Sequence, residues 1–504
     1  MSFRLSTLIP RVTAHSERDL FAWSLLAALA LLTLLDVSFL PFRAAIGWEY
    51  LCSYPLMLAG MYFWLRRRLQ RQDAAMVGSL AFTFSSFNLL HFAHPNTVAT
   101  VAHIPWLLAM IDIVMVDAKR WKVALAQAFL ALLTGSQILL GCPQYVWFSL
   151  LIEAGFTLFL VMKRKYLPRD GCETMPTCRV CIGCRRNSSS CVIVAKGIGL
   201  LVGAVQLLPA LDALFQSTSI RTHEWIPTGC AGAVPEGTTL HPINLIQLVA
   251  PYLPINRAFG GSAHELSLYV GAVPLMLALW VLVRHNDLGG MKRSAQATAA
   301  LAAAGLVLAL GSQGRSVGFQ NSIPWAAWFQ FSCRYTVLFQ FAVAVLAGIG
   351  FVLIEREARE NQKIQRHLPL FEGESRAAAL WRQFEILGAA VLVSLAVALV
   401  GLILHSGHQV ASVPRVLVGP LLMAAAALLV IAAAHGIRGA LVGLILFMAA
   451  DLGYYGLSCT QYETGANPDG LLAQVSMKVP DPLPLARLVT HVVPSHNPAD
   501  DLAK

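Results

Sequence analysis

Charge is what this 504-residue chain has least of, since Asp, Glu, Lys and Arg together make up 13% of it. A soluble protein of that length needs a larger charged surface, so an ordinary cytoplasmic enzyme is excluded before any motif is read. Coiled-coil heptads, tandem repeats and a patterned soluble domain of useful size are absent as well. What is present is 57% hydrophobic residues and a mean hydropathy of +0.62. The apolar residues recur in blocks of about 20, the length a helix needs to cross a bilayer. The sequence therefore predicts an all-α polytopic membrane protein. The net charge of +10 does not point to nucleic acid. Its basic residues sit in short loops between apolar blocks, where a membrane explains them better than a polyanion does.

About 13 spans are expected, near residues 20–40, 48–65, 74–92, 97–116, 122–140, 143–162, 192–214, 265–283, 295–311, 335–354, 384–404, 415–434 and 440–457. Arg66, Arg67, Arg68 and Arg71 follow the second span, Lys119, Arg120 and Lys122 the fourth, and Lys163, Arg164, Lys165 and Arg169 the sixth. By the positive-inside rule this alternation predicts a cytoplasmic N-terminus and an extracytoplasmic C-terminus in a bacterial inner membrane. Phe39-Leu40-Pro41-Phe42 offers no small-residue cleavage pattern, so the first block reads as a retained helix rather than a signal peptide. The expected organisation is a membrane domain over 1–457, with a Cys-rich inner insertion at 163–191, outer loops at 215–264 and 312–334, and a short outer tail at 458–504.

Candidate chemistry gathers on the outer side. In His91-Phe-Ala-His94-Pro95-Asn96 the two histidines share a helical face, Pro95 ends or starts a helix, and Asn96 is available to cap or to bind. Substrate or phosphate contact, a metal, and interfacial packing all remain open for this motif. Gln137, Gln144, Gln206 and Asp212 are costly in lipid, so each is expected to face protein or water. Asp36 and Glu49 are outer-side carboxylates able to take a proton from a hydroxyl, with structural capping as the competing role; Glu224 and Glu265 flank the large outer loop. Arg221, next to His223, and Arg334, after an aromatic turn holding Trp325, Trp328, Phe329 and Phe331, are the anion partners, unless they only snorkel to headgroups. The stretch 240–251 is apolar yet too short to cross, and reads as interfacial or re-entrant.

Five of the ten cysteines, Cys172, Cys178, Cys181, Cys184 and Cys191, lie in one inner segment. Two overlapping Cys-x-x-Cys spacings suit part of a metal ligand run, but no histidine or second knuckle completes it, and a free-thiol insertion is the expectation. No cofactor is assigned, and a divalent cation is left open.

The chain resembles the bacterial YfhO-like membrane proteins, which look like relatives of the GT-C glycosyltransferases. The resemblance is carried by Leu58-Ala-Gly-Met-Tyr-Phe-Trp-Leu-Arg66, the His91–Asn96 motif with Ile104-Pro-Trp-Leu107, Gly141-Cys-Pro-Gln144, Gln206-Leu-Leu-Pro-Ala-Leu211 with Arg221, Leu268-Tyr-Val-Gly-Ala-Val-Pro-Leu275, Leu310-Gly-Ser312, and Phe329-Gln-Phe-Ser-Cys-Arg334 leading to Leu346-Ala-Gly-Ile-Gly350. It implies a GT-C-like bundle that moves a sugar from a polyprenyl-phosphate carrier to a cell-envelope glycan, lipid or polymer at the outer face. It also implies an inverting displacement, with an acidic base and with polar groups on the lipid phosphate. The chain departs from the family pattern at Cys142, where His is usual, at Gln330, where Arg is common, and in its Cys-rich insertion. The family's outer loop with its own catalytic acid is expected to be missing ahead of residue 20. The alternative is therefore a noncatalytic or truncated member that binds or transports a lipid-linked glycan.

Overall fold

The computed structural model describes residues 42–117, 119–165, 188–216, 239–252, 264–311, 331–367, 373–405 and 413–460. Among the described residues the secondary structure is helical throughout, with no strand. The α-helices are α1 (Phe42–Leu69), α2 (Gln72–Thr83), α3 (Ser86–Leu90), α4 (Pro95–Val116), α5 (Arg120–Leu139), α6 (Pro143–Lys165), α7 (Ser188–Val202), α8 (Ala204–Gln216), α9 (Ala272–Val283), α10 (Lys292–Leu310), α11 (Thr336–His367), α12 (Gly373–His405), α13 (Val413–Ala434) and α14 (Arg438–Thr460). Seven described helices are long and apolar enough to cross a membrane, and α7 with α8 makes an eighth if the bent pair is one span. Residues 457–504 form a separate unit, of which only the last turn of α14 is described.

Two helices organise the bundle. The apolar windows of α4 and α11 are wholly buried, as expected of helices that are hydrophobic all round. Against α4 pack α1, α5 and α6; against α11 pack α2, α9 and α10; and the α1–α2 contact joins the two groups. Glycines allow the closest approaches. A Cβ on Gly350 of α11 would stand 2.5 Å from the Leu277 carbonyl of α9, and one on Gly199 of α7 would stand 2.7 Å from the Ala131 carbonyl of α5. Such backbone-to-backbone packing is what small residues provide where lipid gives no hydrophobic drive for helix association.

Every expected span after the first falls on helix, but three of them are interrupted, each for a visible reason. The first, with Asp36, lies outside the described residues. The 74–92 block breaks at Phe84–Ser85, leaving α2, the short α3 and a 3-10 turn at His91–Ala93. The released backbone groups are met by side chains and by the neighbouring chain: Phe87 N–H donates to Gln340 Oε1 at 3.1 Å, Asn88 Nδ2 donates to the Phe82 carbonyl at 2.7 Å, and Ser86 N–H reaches the Tyr269 carbonyl at 2.9 Å. The 265–283 block is helical only from Ala272. Its first part is non-helical yet buried, which membrane depth permits only when protein satisfies the backbone. Gln247 accepts from Leu268 N–H (3.3 Å) and donates to the Leu266 carbonyl (3.2 Å), Gln340 donates to the Ser267 carbonyl (3.2 Å), and Asp451 accepts from Ala272 N–H (2.8 Å) and from the Tyr269 hydroxyl (2.8 Å). Gly271, at φ +94°, makes the turn into α9. The third interruption bends α7 against α8 by 72° at Gly203, where the Ile138 side chain occupies the space a Cβ would need. The stretch 240–251 does not cross: it forms a 3-10 turn, Pro242–Leu248, capped by His241 Nδ1 accepting from Ile243 N–H at 3.2 Å.

The helix directions sort the polar residues onto two ends. The C-terminal parts of α1 and α4 and the second half of α11 bring Arg66–Arg68, Asp112 and Glu355 to one end. The His91–Pro95 turn, the N-terminus of α6 and the Ser332–Tyr335 turn before α11 lie at the other.

Candidate functional site

At the histidine end, four chain segments distant in sequence converge. The break after α3 sets His91 and His94 on a 3-10 turn. The Pro143 start of α6 supplies Gln144 and Tyr145. The non-helical entry to α9 supplies His264 and Glu265, and the 3-10 turn at Ser332–Tyr335 supplies Arg334. The centre is an ion pair, with Arg334 Nε 3.0 and 2.9 Å from the two oxygens of Glu265 and Arg334 Nη2 donating to Oε1. Arg334 Nη1 donates to Gln144 Oε1 at 3.0 Å, and Gln144 Nε2 donates to the Phe331 carbonyl at 2.7 Å. The guanidinium also lies 4.4 Å from the Phe331 ring centroid and 5.7 Å from that of Tyr145, so cation–π attraction adds to the fork. Arg334 offers five N–H donors. The Nε–H and one on each Nη are engaged here; the remaining two have no partner among the described residues.

Glu265 is buried, and three hydrogen bonds from Arg334 engage both of its oxygens. Glu265 is thus a fixed anion that locks Arg334, and a weak base. His91 is almost fully enclosed. Its Nδ1–H donates to the Phe87 carbonyl at 2.8 Å and its ring stacks on Phe87 at 4.0 Å, which leaves Nε2 facing the Tyr145 hydroxyl at 3.4 Å. Because a carbonyl can only accept, the Nδ1 proton is committed to Phe87, and Nε2 is the ring nitrogen left to face the site.

His94 and His264 form the rim. Their ring centroids stand 4.9 Å apart, and His264 Nε2 lies 3.7 Å from Glu265 Oε1. His94 and Asn96 are exposed. Asn96 does not cap α4: the capping position is His94, no side chain caps it, and the Asn96 carbonyl accepts from Thr100 Oγ1 at 2.6 Å. The layout is a closed charged layer of Glu265, Arg334 and Gln144 beneath an open rim of imidazoles and an amide. Such a rim can donate hydrogen bonds to an anion, with Arg334 behind it as the positive charge.

The expected site residues divide accordingly. His91, His94, Gln144 and Arg334 are brought together, and Asn96 is close by at the start of α4. Glu49 falls in the second turn of α1, and its side chain lies outside the described residues, as do Asp36, Arg221 and His223 and the cysteines at 172–184. Glu265 is the principal partner that spacing did not reveal. Its signal in the sequence is slight, a single carboxylate heading an apolar run. Tyr145 and His264 gain meaning only from their contacts.

Two polar residues outside the cluster, Gln137 and Glu153, have structural partners. Gln137 donates to the Thr100 carbonyl at 3.0 Å, joining α5 to α4. Glu153 pairs with Lys196 at 2.7 Å, and that ammonium also reaches Thr134 Oγ1 at 2.9 Å, tying α6, α7 and α5 together. Among the described residues, no group of three or more His, Cys, Asp or Glu side chains stands in metal-ligating arrangement. Among the described residues no disulfide is formed, and Cys333 Sγ lies 4.0 Å from Glu265 Oε2. Comparison of the chain with protein families, with characterised proteins and with solved structures finds no match, so the functional reading rests on this geometry and on the residues themselves.

Proposed function

We propose that the protein is a membrane glycosyltransferase with a GT-C-like bundle of about 13 spans, which moves a sugar from a polyprenyl-phosphate carrier to a cell-envelope glycan or lipid acceptor. The observation that carries this reading is the convergence of His91, His94, His264, Gln144 and Arg334 on one end of the bundle, backed by a buried carboxylate that fixes the guanidinium. A lipid phosphate at the rim would accept hydrogen bonds from His94, Asn96 and the two remaining Arg334 N–H groups, and Arg221 and His223 belong to the same proposed site. The alternation of basic loops supports the orientation, with the N-terminus cytoplasmic and the histidine end extracytoplasmic in a bacterial inner membrane.

In the proposed reaction an acidic side chain, Asp36 or Glu49, takes the acceptor hydroxyl proton. The acceptor oxygen forms a bond to the anomeric carbon as the bond from that carbon to the carrier phosphate breaks. The phosphate leaves with the electron pair, and the rim donors and Arg334 stabilise its growing charge. Glu265 is unsuited to the base role because Arg334 holds it as a strongly paired anion. Among the described residues the cluster offers a hard cation, which wants several oxygen ligands, a single carboxylate, and that one is engaged by Arg334.

The test is to measure carrier-lipid binding and sugar transfer on the same purified variants. Asp36→Asn should abolish transfer and leave binding nearly intact if Asp36 is the base, with Glu49→Gln as the parallel variant. A second reading, a noncatalytic relative that binds or transports a lipid-linked glycan, is favoured by one observation: Arg334, the Arg of the cluster among the described residues, is already paired to a carboxylate. Wild-type binding of carrier with no transfer across a broad donor and acceptor panel selects it.

A further inference from the structure

A second feature lies toward the opposite end of the bundle, away from the histidines. A cavity of about 370 Å³ is bounded by α6 on one side and α10 on the other, within the size range of ligand sites. Its floor is aromatic, with Trp64 packing edge-on to Phe156 at 5.5 Å and facing Phe341 at 5.6 Å between ring centroids. Both α6 and α10 line the cavity, yet they make at most glancing contact with each other. Each presents small residues to the gap: Gly155 on α6, and Ala297, Ala300 and Ala304 at helical spacing on α10. Small residues elsewhere in this bundle bring helices together; here they leave a cleft. Gly155 is exposed, and a Cβ built on it meets no atom within 4 Å.

The cleft is not apolar to its end. Arg68 and Lys163 line it on the basic side, Lys163 about 12 Å along α6 from Gly155 at 1.5 Å per residue. Arg68 donates to Asp112 at 3.1 Å, and Arg67 divides its bonds between Asp112 and Asp117, so two guanidiniums face two carboxylates. Lys163 is exposed and has no ion-pair partner among the described residues, which leaves one uncompensated positive charge at the mouth. Between two spanning helices, a cleft walled by small residues and floored by aromatic rings offers a hydrocarbon chain dispersion contacts on several sides. A basic pocket at a helix end favours an anionic headgroup.

We propose that this cleft is a binding site for one anionic glycerophospholipid, its acyl chain lying between α6 and α10 over Gly155 and its headgroup on Lys163 and Arg68. The site is separate from the histidine cluster and does not depend on the glycosyltransferase reading.

The test uses the purified full-length chain in detergent, titrated with phosphatidylglycerol or phosphatidylcholine of identical chains, with retained lipids counted by native mass spectrometry. Wild type should hold one phosphatidylglycerol in preference to phosphatidylcholine by roughly fivefold or more, the preference a juxtamembrane basic residue confers. Lys163→Glu should erase that preference while leaving the elution profile of the protein unchanged. Gly155→Phe should plug the cleft and remove the retained lipid. Should that variant misassemble, Ala304→Phe plugs it from the opposite wall. Equal retention of the two lipids by wild type, or retention of phosphatidylglycerol by both plugged variants at the wild-type level, would overturn the proposal. So would displacement of the lipid by millimolar inorganic phosphate, or a stronger hold on polyprenyl phosphate that both plugs abolish.

Discussion

Both ends of the bundle are built on arginine–carboxylate pairs, but the pairs differ in where their partners come from. At the basic end, Arg67 and Arg68 close α1 and meet Asp112 and Asp117 at the end of α4, while Arg71 pairs with Glu355, and Arg284 with Asp287 and Glu357. The basic partners stand at or just past the ends of α1 and α9, where cations also suit the helix dipole. At the histidine end one guanidinium is held by a carboxylate on the non-helical entry to α9, and imidazoles surround the pair. The first arrangement ties the helices and consumes its charge. The second keeps a positive charge at a fixed place under a rim of hydrogen-bonding groups, which is what a binding site requires.

The sharpest way to break this contrast is to remove Glu265. Deleting one partner of a buried pair leaves the other charge uncompensated, so Glu265→Ala should cost about 3–5 kcal/mol of stability, read as a drop in the thermal unfolding midpoint of the purified protein. A change no larger than that of an exposed carboxylate would mean the pair is solvated and the site is not closed beneath. Next in size is Arg334→Ala, expected to weaken carrier-lipid binding by about tenfold to a hundredfold, corresponding to about 1.5–3 kcal/mol. Arg334→Lys should recover only part, because an ammonium cannot reproduce the fork to Glu265 together with the bond to Gln144. Full recovery by Lys would reduce Arg334 to a point charge.

Asp112→Asn sharpens the other side of the comparison. It should lower stability by about 1–3 kcal/mol, the cost of weakening hydrogen bonds to charged groups, without altering carrier binding. A binding loss there would show that the two ends are coupled.

Composition and apolar period were enough to read the helical membrane class, because burying a backbone in hydrocarbon leaves helix as the way to satisfy every N–H and C=O along a span. They also marked the basic end, since the residues that build it are consecutive at Arg66–Arg68. Sequence pattern could not locate the breaks at Phe84–Ser85 and in 265–271. There the backbone partners are Gln340, Gln247 and Asp451, residues far away in the chain whose side chains only tertiary packing delivers. The histidine site was half legible. His91 and His94 announce themselves by sitting three apart, and Gln144 and Arg334 by being polar at the edge of apolar blocks. That Glu265 faces Arg334, that His91 is sealed while His94 is open, and that α6 and α10 leave a cleft were decided by the fold. Each depends on distances between segments that local sequence does not encode, and on which side chains the packing encloses.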